Sequence, residues 1–371
     1  MTRFLKIYFF FLVFILAVSI GRGFLSLWFV QNGFTYHQII LFYFIDFLVP
    51  PLILLLAKSF STVKSLSLAL ISEILLMLSV YHFYHPLQIY LSGILAGTTV
   101  VLFYLTYNTL YFENTPKDKR AFSSSLYTLV GPLSGVVVPI VVGFFGQARG
   151  LAPVFLVAAL IHAVTIFLVK MLPQIEFKCH LRQNLAKTRR INFLLLIEGV
   201  KESVSLAAIP LFTLFFIRQP LPYGVYFGYL GFVSTAATVL LGYLSDKLKK
   251  RTFVLYPATL MVGLTIIALG FSNSLLSWAL ISGALGFLVV INGTFVTAMV
   301  LDQTAKIEEG MISREFWLGI GRAIGVMAFF VSLTLTDSPR MALILIGFLY
   351  CFFPLIVYSR KLYGESLATA S

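Results

Sequence analysis

The sequence predicts an all-α polytopic membrane protein with twelve transmembrane helices in two six-helix bundles. Composition is the first reason: 59% of the 371 residues are hydrophobic and 11% are charged. A soluble fold with that balance would leave large apolar patches in water, because a globular surface needs a polar skin. Span length is the second. Apolar runs of about 20 residues at 1.5 Å rise cross a hydrocarbon core of about 30 Å, and about twelve of them nearly exhaust the chain. The third is the longest polar stretch, Pro173 to Arg190, which falls near the middle. It divides the chain into an N-terminal bundle (1–172), a linker (173–190) and a C-terminal bundle (191–371).

Taken in order, the spans are expected at 6–30, 36–56, 64–82, 87–112, 122–145, 151–171, 192–217, 223–245, 253–271, 276–302, 315–335 and 340–359. The first follows Arg3 and Lys6 and mimics a secretory signal, but the run is long and lacks a small-x-small cleavage site, so an uncleaved helix is expected. Of the 27 Lys and Arg residues, only Arg149, Arg218 and Arg340 fall in loops on the side opposite the termini, and Arg22, Lys201 and Arg322 lie within spans. The remainder gather on one side, which places both termini in the cytoplasm. The net charge of +13 is therefore a topology signal and not a nucleic-acid footprint. Cys179 and Cys351 lie in cytoplasmic or membrane segments and imply no disulfide framework. A multi-pass protein of the plasma membrane, the inner membrane of a prokaryote, is expected, as a monomer.

Between spans eight and nine runs Gly242-Tyr243-Leu244-Ser245-Asp246-Lys247-Leu248-Lys249-Lys250-Arg251. It resembles the G-x-L-x-D-[RK]-x-G-[RK]-[RK] signature of the major facilitator superfamily. Gly242, Leu244, Asp246, Lys247, Lys250 and Arg251 match, and Lys249 replaces the family glycine. Glycine lets a neighbouring helix approach, the aspartate sits near that helix's positive N-terminus, and the cations stay in the headgroup layer. The resemblance implies a gating contact at this hinge. The equivalent first-half segment, Leu54 to Val63, has Lys58 where the signature has aspartate, and no glycine.

Span five carries Gly131-Pro132-x-x-Gly135, similar to the G-P-x-x-G core of a motif found in exporters of this superfamily. Proline interrupts a backbone hydrogen bond and glycine permits close contact, so the segment can bend against a neighbour. The same stretch aligns weakly with residues 319–325 of span eleven, and Gly224 and Gly228 give span eight a small face. The resemblance implies that spans five and eight meet between the bundles, as do two and eleven. It also leans the reading toward export.

Seven charges lie within the spans: Arg22, Asp46, Glu73, Glu198, Lys201, Glu202 and Arg322. Each would cost about 2.5–3.5 kcal/mol against lipid, so they must face one another or water. Glu198, Lys201, Glu202 and Ser205 follow i, i+3, i+4, i+7 spacing on span seven, and Tyr104, Tyr107, Asn108 and Tyr111 repeat it on span four. Ser26 accompanies Arg22 on span one. The resemblance makes spans one, four, seven and ten the walls of a central cavity, so these residues are candidates for substrate contact. Asp46 precedes Pro50 by four residues, and either Arg22 or Arg322 could partner it. His162 is expected to be a packed side chain.

Four acids against three bases leave one carboxylate short of a partner, and a desolvated unpaired carboxyl can carry a proton. Glu198, Glu202, Asp46 and Glu73 are the proton-coupling candidates, and Gly242, Asp246, Lys247, Lys250, Arg251, Gly131, Pro132, Gly135 and Arg322 the gating ones. No phosphate-binding loop, metal-ligand spacing or nucleophile elbow occurs in the sequence. No cofactor, metal or enzymatic activity is expected. The expectation is a secondary transporter of a small solute, working by alternating access on protons and leaning to export. Uptake of an organic anion held by Arg22 and Lys201 is the alternative within that class; a receptor or lipid-binding scaffold is the one outside it.

Overall fold

A computed structural model describes residues 3–114, 120–245, 251–302, 304 and 306–360. Among the described residues, eight helices are long and apolar enough to cross a membrane: Arg3–Gln31, Tyr36–Leu56, Thr62–Tyr81, Gln88–Glu113, Ala152–Val169, Pro220–Leu240, Ile307–Thr336 and Arg340–Ser359. Shorter apolar stretches, Ser134–Arg149, Leu255–Leu269 and Leu275–Val290, belong to helices Arg120–Arg149, Arg251–Leu269 and Leu275–Asp302. Residues 192–215 form one more helical segment, interrupted by a π turn at Val204–Ala208 and a 3-10 turn at Thr213–Phe215. These fill the expected places of spans one to twelve. Many large apolar side chains face outward, among them Leu56, Leu160, Phe167 and Leu276. In water that surface would be unfavourable, whereas lipid tails match it.

Local chemistry sets several boundaries. Span two opens on a capping box, in which the Thr35 hydroxyl accepts from the Gln38 amide and the Gln38 side chain accepts from the Thr35 amide at 2.9 Å. Span eleven begins at Ile307, two turns before the expected 315. Glu308 and Glu309 in its first turn complement the positive helix end, so the helix continues past the apolar run.

Within the first six spans, one packs on six, three on six, two on four and three on four; within the last six, seven packs on eleven, nine on twelve, nine on ten and eight on ten. The principal contacts joining the halves are five against eight and two against eleven. Glycine makes both possible. A methyl group at Gly224 would strike the backbone of Pro139, one at Gly231 the backbone of Gly135, and one at Gly319 the ring of Pro51. Helices lacking side-chain bulk at these points gain dispersion contact where lipid supplies no hydrophobic drive.

The linker is more than a polar connector. Ser59–Ser61 after span two (β1) pairs antiparallel with Glu176–Lys178 (β2), with Phe60 opposite Phe177 and their rings stacked at 5.6 Å. Cys179 extends the pairing by donating its amide to the Lys58 carbonyl at 2.9 Å. A short helix, Leu181–Lys187, follows, and Lys187 reaches Glu309 at the start of span eleven at 2.6 Å. The linker thus ties the loop with the degenerate first-half signature to the second half. Burial pushes the Cys179 thiol up from its ordinary value, so less thiolate is present at any given pH.

The clasp is testable through that thiol. In a Cys351→Ser background, Phe177→Ala should remove about 3 kcal/mol of local packing and raise the rate of Cys179 alkylation several-fold, measured with a membrane-permeant maleimide. An unchanged rate would mean that the strand pair is not what protects it.

Candidate functional site

Arg22 lies where span one breaks, in a 3-10 turn Arg22–Phe24 that follows Gly21 and contains Gly23. Gly21 meets Met77 of span three and Ala158 of span six, an approach that a larger residue would prevent. The guanidinium consequently reaches Glu73 of span three. Its Nε donates to Glu73 Oε1 at 2.8 Å, and its Nη2 donates to the same oxygen and to the Ala96 carbonyl at 2.9 Å. Asp46 of span two stands 4.0 Å from Arg22 Nη1. On the far side of Glu73, His162 Nε2 lies 3.8 Å from Oε2.

Span two brings Asp46 there by a close approach to span four, because Gly97 faces the Asp46 carbonyl that Pro50 leaves without its helical donor. Asp46 and Arg322 also feel one another across the junction of spans two and eleven, but Arg322 bonds elsewhere. Its Nε donates to Glu202 of span seven at 2.7 Å, and the Phe47 ring lies 6.0 Å from its guanidinium carbon. Of the two partners considered for Asp46, Arg22 is the nearer contact in this structure.

On span seven the two glutamates part company. Glu198 pairs with Lys201 at 2.6 Å, accepts from Tyr350 of span twelve at 2.6 Å, and accepts from Asn292 of span ten at 3.3 Å. Glu202 turns to Arg322 instead. Gly199, Gly321 and Gly325 cause this divergence: they let spans seven and eleven touch backbone to backbone, which delivers the guanidinium beside Glu202. Lys201 therefore does not serve both acids as the principal partner. Ser205 falls within the π turn that starts at Val204, where the 3.6-residue register aligning it with the glutamates no longer applies.

Span four has a π turn too, Val100–Leu105, which carries the half-buried Tyr104 into the field of Arg22, Glu73, Glu315 and Arg322. Tyr107 and Tyr111 are fully buried against span one: Tyr107 stacks on Phe11 at 4.5 Å and donates to the Ile7 carbonyl at 3.3 Å, and Tyr111 meets Phe4 at 5.6 Å. Asn108 is buried between them in sequence, and Ser26 is buried against the Tyr43 hydroxyl at 2.7 Å.

Of the gating residues, Gly135 contacts Gly231, and a methyl group at Gly131 would meet open space. Pro132 and Gly242 lie in helices Arg120–Arg149 and Pro220–Ser245, and Arg251 opens the next helix. Asp246, Lys247 and Lys250 lie outside the described residues. At the end opposite the termini, the halves touch directly: Gln31 donates to the Arg218 carbonyl at 3.5 Å, His37 meets Thr334 at 3.3 Å, and Tyr36 packs on Phe215 at 4.8 Å.

Over residues 7–326 the sequence matches the family profile described as Major Facilitator Superfamily. The chain belongs to the major facilitator superfamily. A curated relative, the uncharacterised protein YqgE of Bacillus subtilis (strain 168), is 23% identical over 297 residues, covering 74% of this chain and 68% of that protein. The fold is similar to the crystal structure of the human organic anion transporter MFSD10 (TETRAN), with a TM-score of 0.70 and 12% identity, over 96% of this chain and 98% of that one. Membership agrees with an integral, multi-pass transporter and not with an enzyme.

Sequence reasoning missed several partners. Glu315 is buried and bonded to Arg314 at 2.5 Å, but adjacent acid and base at a helix start read as cytoplasmic charge. Asn292 and Tyr350, themselves 2.6 Å apart, come from spans ten and twelve and share no local pattern with Glu198. The Glu198 group yields a stability prediction. Lys201→Ala should cost about 3–5 kcal/mol by leaving a buried carboxylate without its cation, and Tyr350→Phe about 1–3 kcal/mol. Adding Glu198→Gln should recover most of the Lys201→Ala loss, as read by thermal unfolding in detergent. Additive losses would contradict the pairing.

Proposed function

We propose that this protein is a secondary transporter that moves a small solute by alternating access and is driven by protons, with export the favoured direction. The observation that carries the reading is the pair of glycine-lined junctions, five against eight and two against eleven, which join the halves with little interlocking side-chain bulk. Surfaces of that kind can rock as rigid bodies.

Proton coupling is supported by the surplus of buried carboxylate, and export by the G-P-x-x-G segment of span five. Uptake of an organic anion is less favoured, even though MFSD10 is described as an organic anion transporter. Lys201 and Arg22, the cations that would hold the anion, are both engaged by carboxylates of this chain.

The test is transport in proteoliposomes across a panel of cationic, neutral and anionic solutes, with and without an imposed pH gradient. At least one solute is expected to accumulate against its gradient only when the pH gradient is present, and accumulation indifferent to pH would refute proton drive. Asp246→Ala should change the outward-open population several-fold at near-normal expression. Unaltered distance distributions between spin labels on the two halves would refute the gating role.

A further inference from the structure

The surplus carboxylate has a location. Among the described residues, Glu198 has Lys201, Glu202 has Arg322 and Glu315 has Arg314. Arg322 also lies 4.0 Å from Glu315, which Arg314 already serves, whereas Arg22 faces two carboxylates, Glu73 and Asp46, for which no other Lys or Arg contact is found among the described residues. Its hydrogen bonds go to one oxygen of Glu73, and Asp46 receives only the 4.0 Å contact. Glu73 is fully buried and Asp46 nearly so, yet Glu73 Oε2 and Asp46 Oδ1 have no hydrogen-bond partner among the described residues. His162 is the independent observation. It is fully buried, neither ring nitrogen has a hydrogen-bond partner among the described residues, and Nε2 points at the orphaned Glu73 oxygen.

Groups facing this cluster come from every neighbouring span: Arg22 from one, Tyr43 from two, Tyr104 from four, His162 from six and Arg322 from eleven, with Glu315 beyond Tyr104. Arg322 bonds Glu202 and faces Glu315 at 4.0 Å, so it is engaged on the other side of the junction. One full positive charge therefore faces two buried carboxyls, and a second negative charge there would be strongly unfavourable. We infer that Asp46, Glu73 and His162 around Arg22 form the proton-binding site of this transporter, with one proton shared by the two carboxyls. This deepens the proton-driven reading and rests on it for its role in transport. On binding, the proton converts one carboxylate to a carboxylic acid, and Arg22 stays with the other. Because Asp46 stands on span two, which packs on span eleven between the halves, the choice of carboxylate couples the proton to that junction.

The site is tested without knowing the solute. Infrared difference spectra of the purified protein in lipid, recorded across pH, should show one protonated-carboxyl band titrating as a single group. Asp46→Asn and Glu73→Gln should each abolish it, and Glu198→Gln should keep it. A band surviving in both of the first two variants, or one displaced by sodium at constant pH, overturns the proposal. Arg22→Lys gives a second arm if a carboxamide variant does not fold. It retains the charge but loses the paired donation, and the midpoint should shift by about one pH unit, the equivalent of one charge-assisted hydrogen bond; an unmoved midpoint also overturns it. In proteoliposomes, accumulation driven by a pH gradient in both the parent and Asp46→Asn/Glu73→Gln would sink this site but leave proton drive standing. The band without any effect of the gradient on transport would sink proton drive and leave the site.

Discussion

Everything polar in the interior depends on one constraint: a charge inside the bilayer must meet an opposite charge or a dipole of the protein, because the surrounding lipid offers neither. The result is a nearly continuous polar chain that runs from His162 and Glu73 through Arg22 and Asp46 to Arg322, Glu202, Lys201 and Glu198, and ends at Tyr350 and Asn292. It draws on eight spans and passes the junction between the halves at Asp46 and Arg322.

Glycine is what lets the partners meet. Gly21 brings span one onto three and six, Gly97 brings four onto two, and Gly199 with Gly321 and Gly325 fuses seven with eleven. A guanidinium reaches only as far as its side chain, so the pairs made between helices, Arg22 with Glu73 and Arg322 with Glu202, presuppose close helix approaches that a β-carbon would block. The junctions five–eight and two–eleven use the same device. The linker adds a tether of a different kind, with backbone hydrogen bonds to the loop after span two and an ion pair to span eleven.

The spans were legible because their length and apolarity are forced by bilayer thickness, and the family was legible in Gly242 to Arg251 and Gly131 to Gly135. The seven charges were legible as a set, since each is conspicuous in an apolar run. Their partnerships were not. Helical spacing set Glu198, Lys201 and Glu202 on one face, yet a helix wheel knows nothing of Arg322 arriving from span eleven. The wheel also fails at the π turns of spans four and seven, where the period it assumes changes. Asn292 and Tyr350 gave no local signal, because what makes them neighbours of Glu198 is contact between spans distant in sequence, and Glu315 beside Arg314 read as cytoplasmic charge.

The sequence by itself determined that this chain crosses a membrane many times, which superfamily it belongs to, and that its buried acids outnumber its buried bases. Those properties follow from composition, run length and short motifs, all of which survive in one dimension. Only the tertiary structure decided where the surplus falls. Charge balance is a sum over the chain, but pairing is set by which helices touch, and that is fixed by glycine-permitted approaches such as Gly21 to Met77 and Gly199 to Gly321. That geometry gave Glu202 its cation, while Glu198 and Glu315 found theirs on their own helices and Asp46 and Glu73 were left to share Arg22.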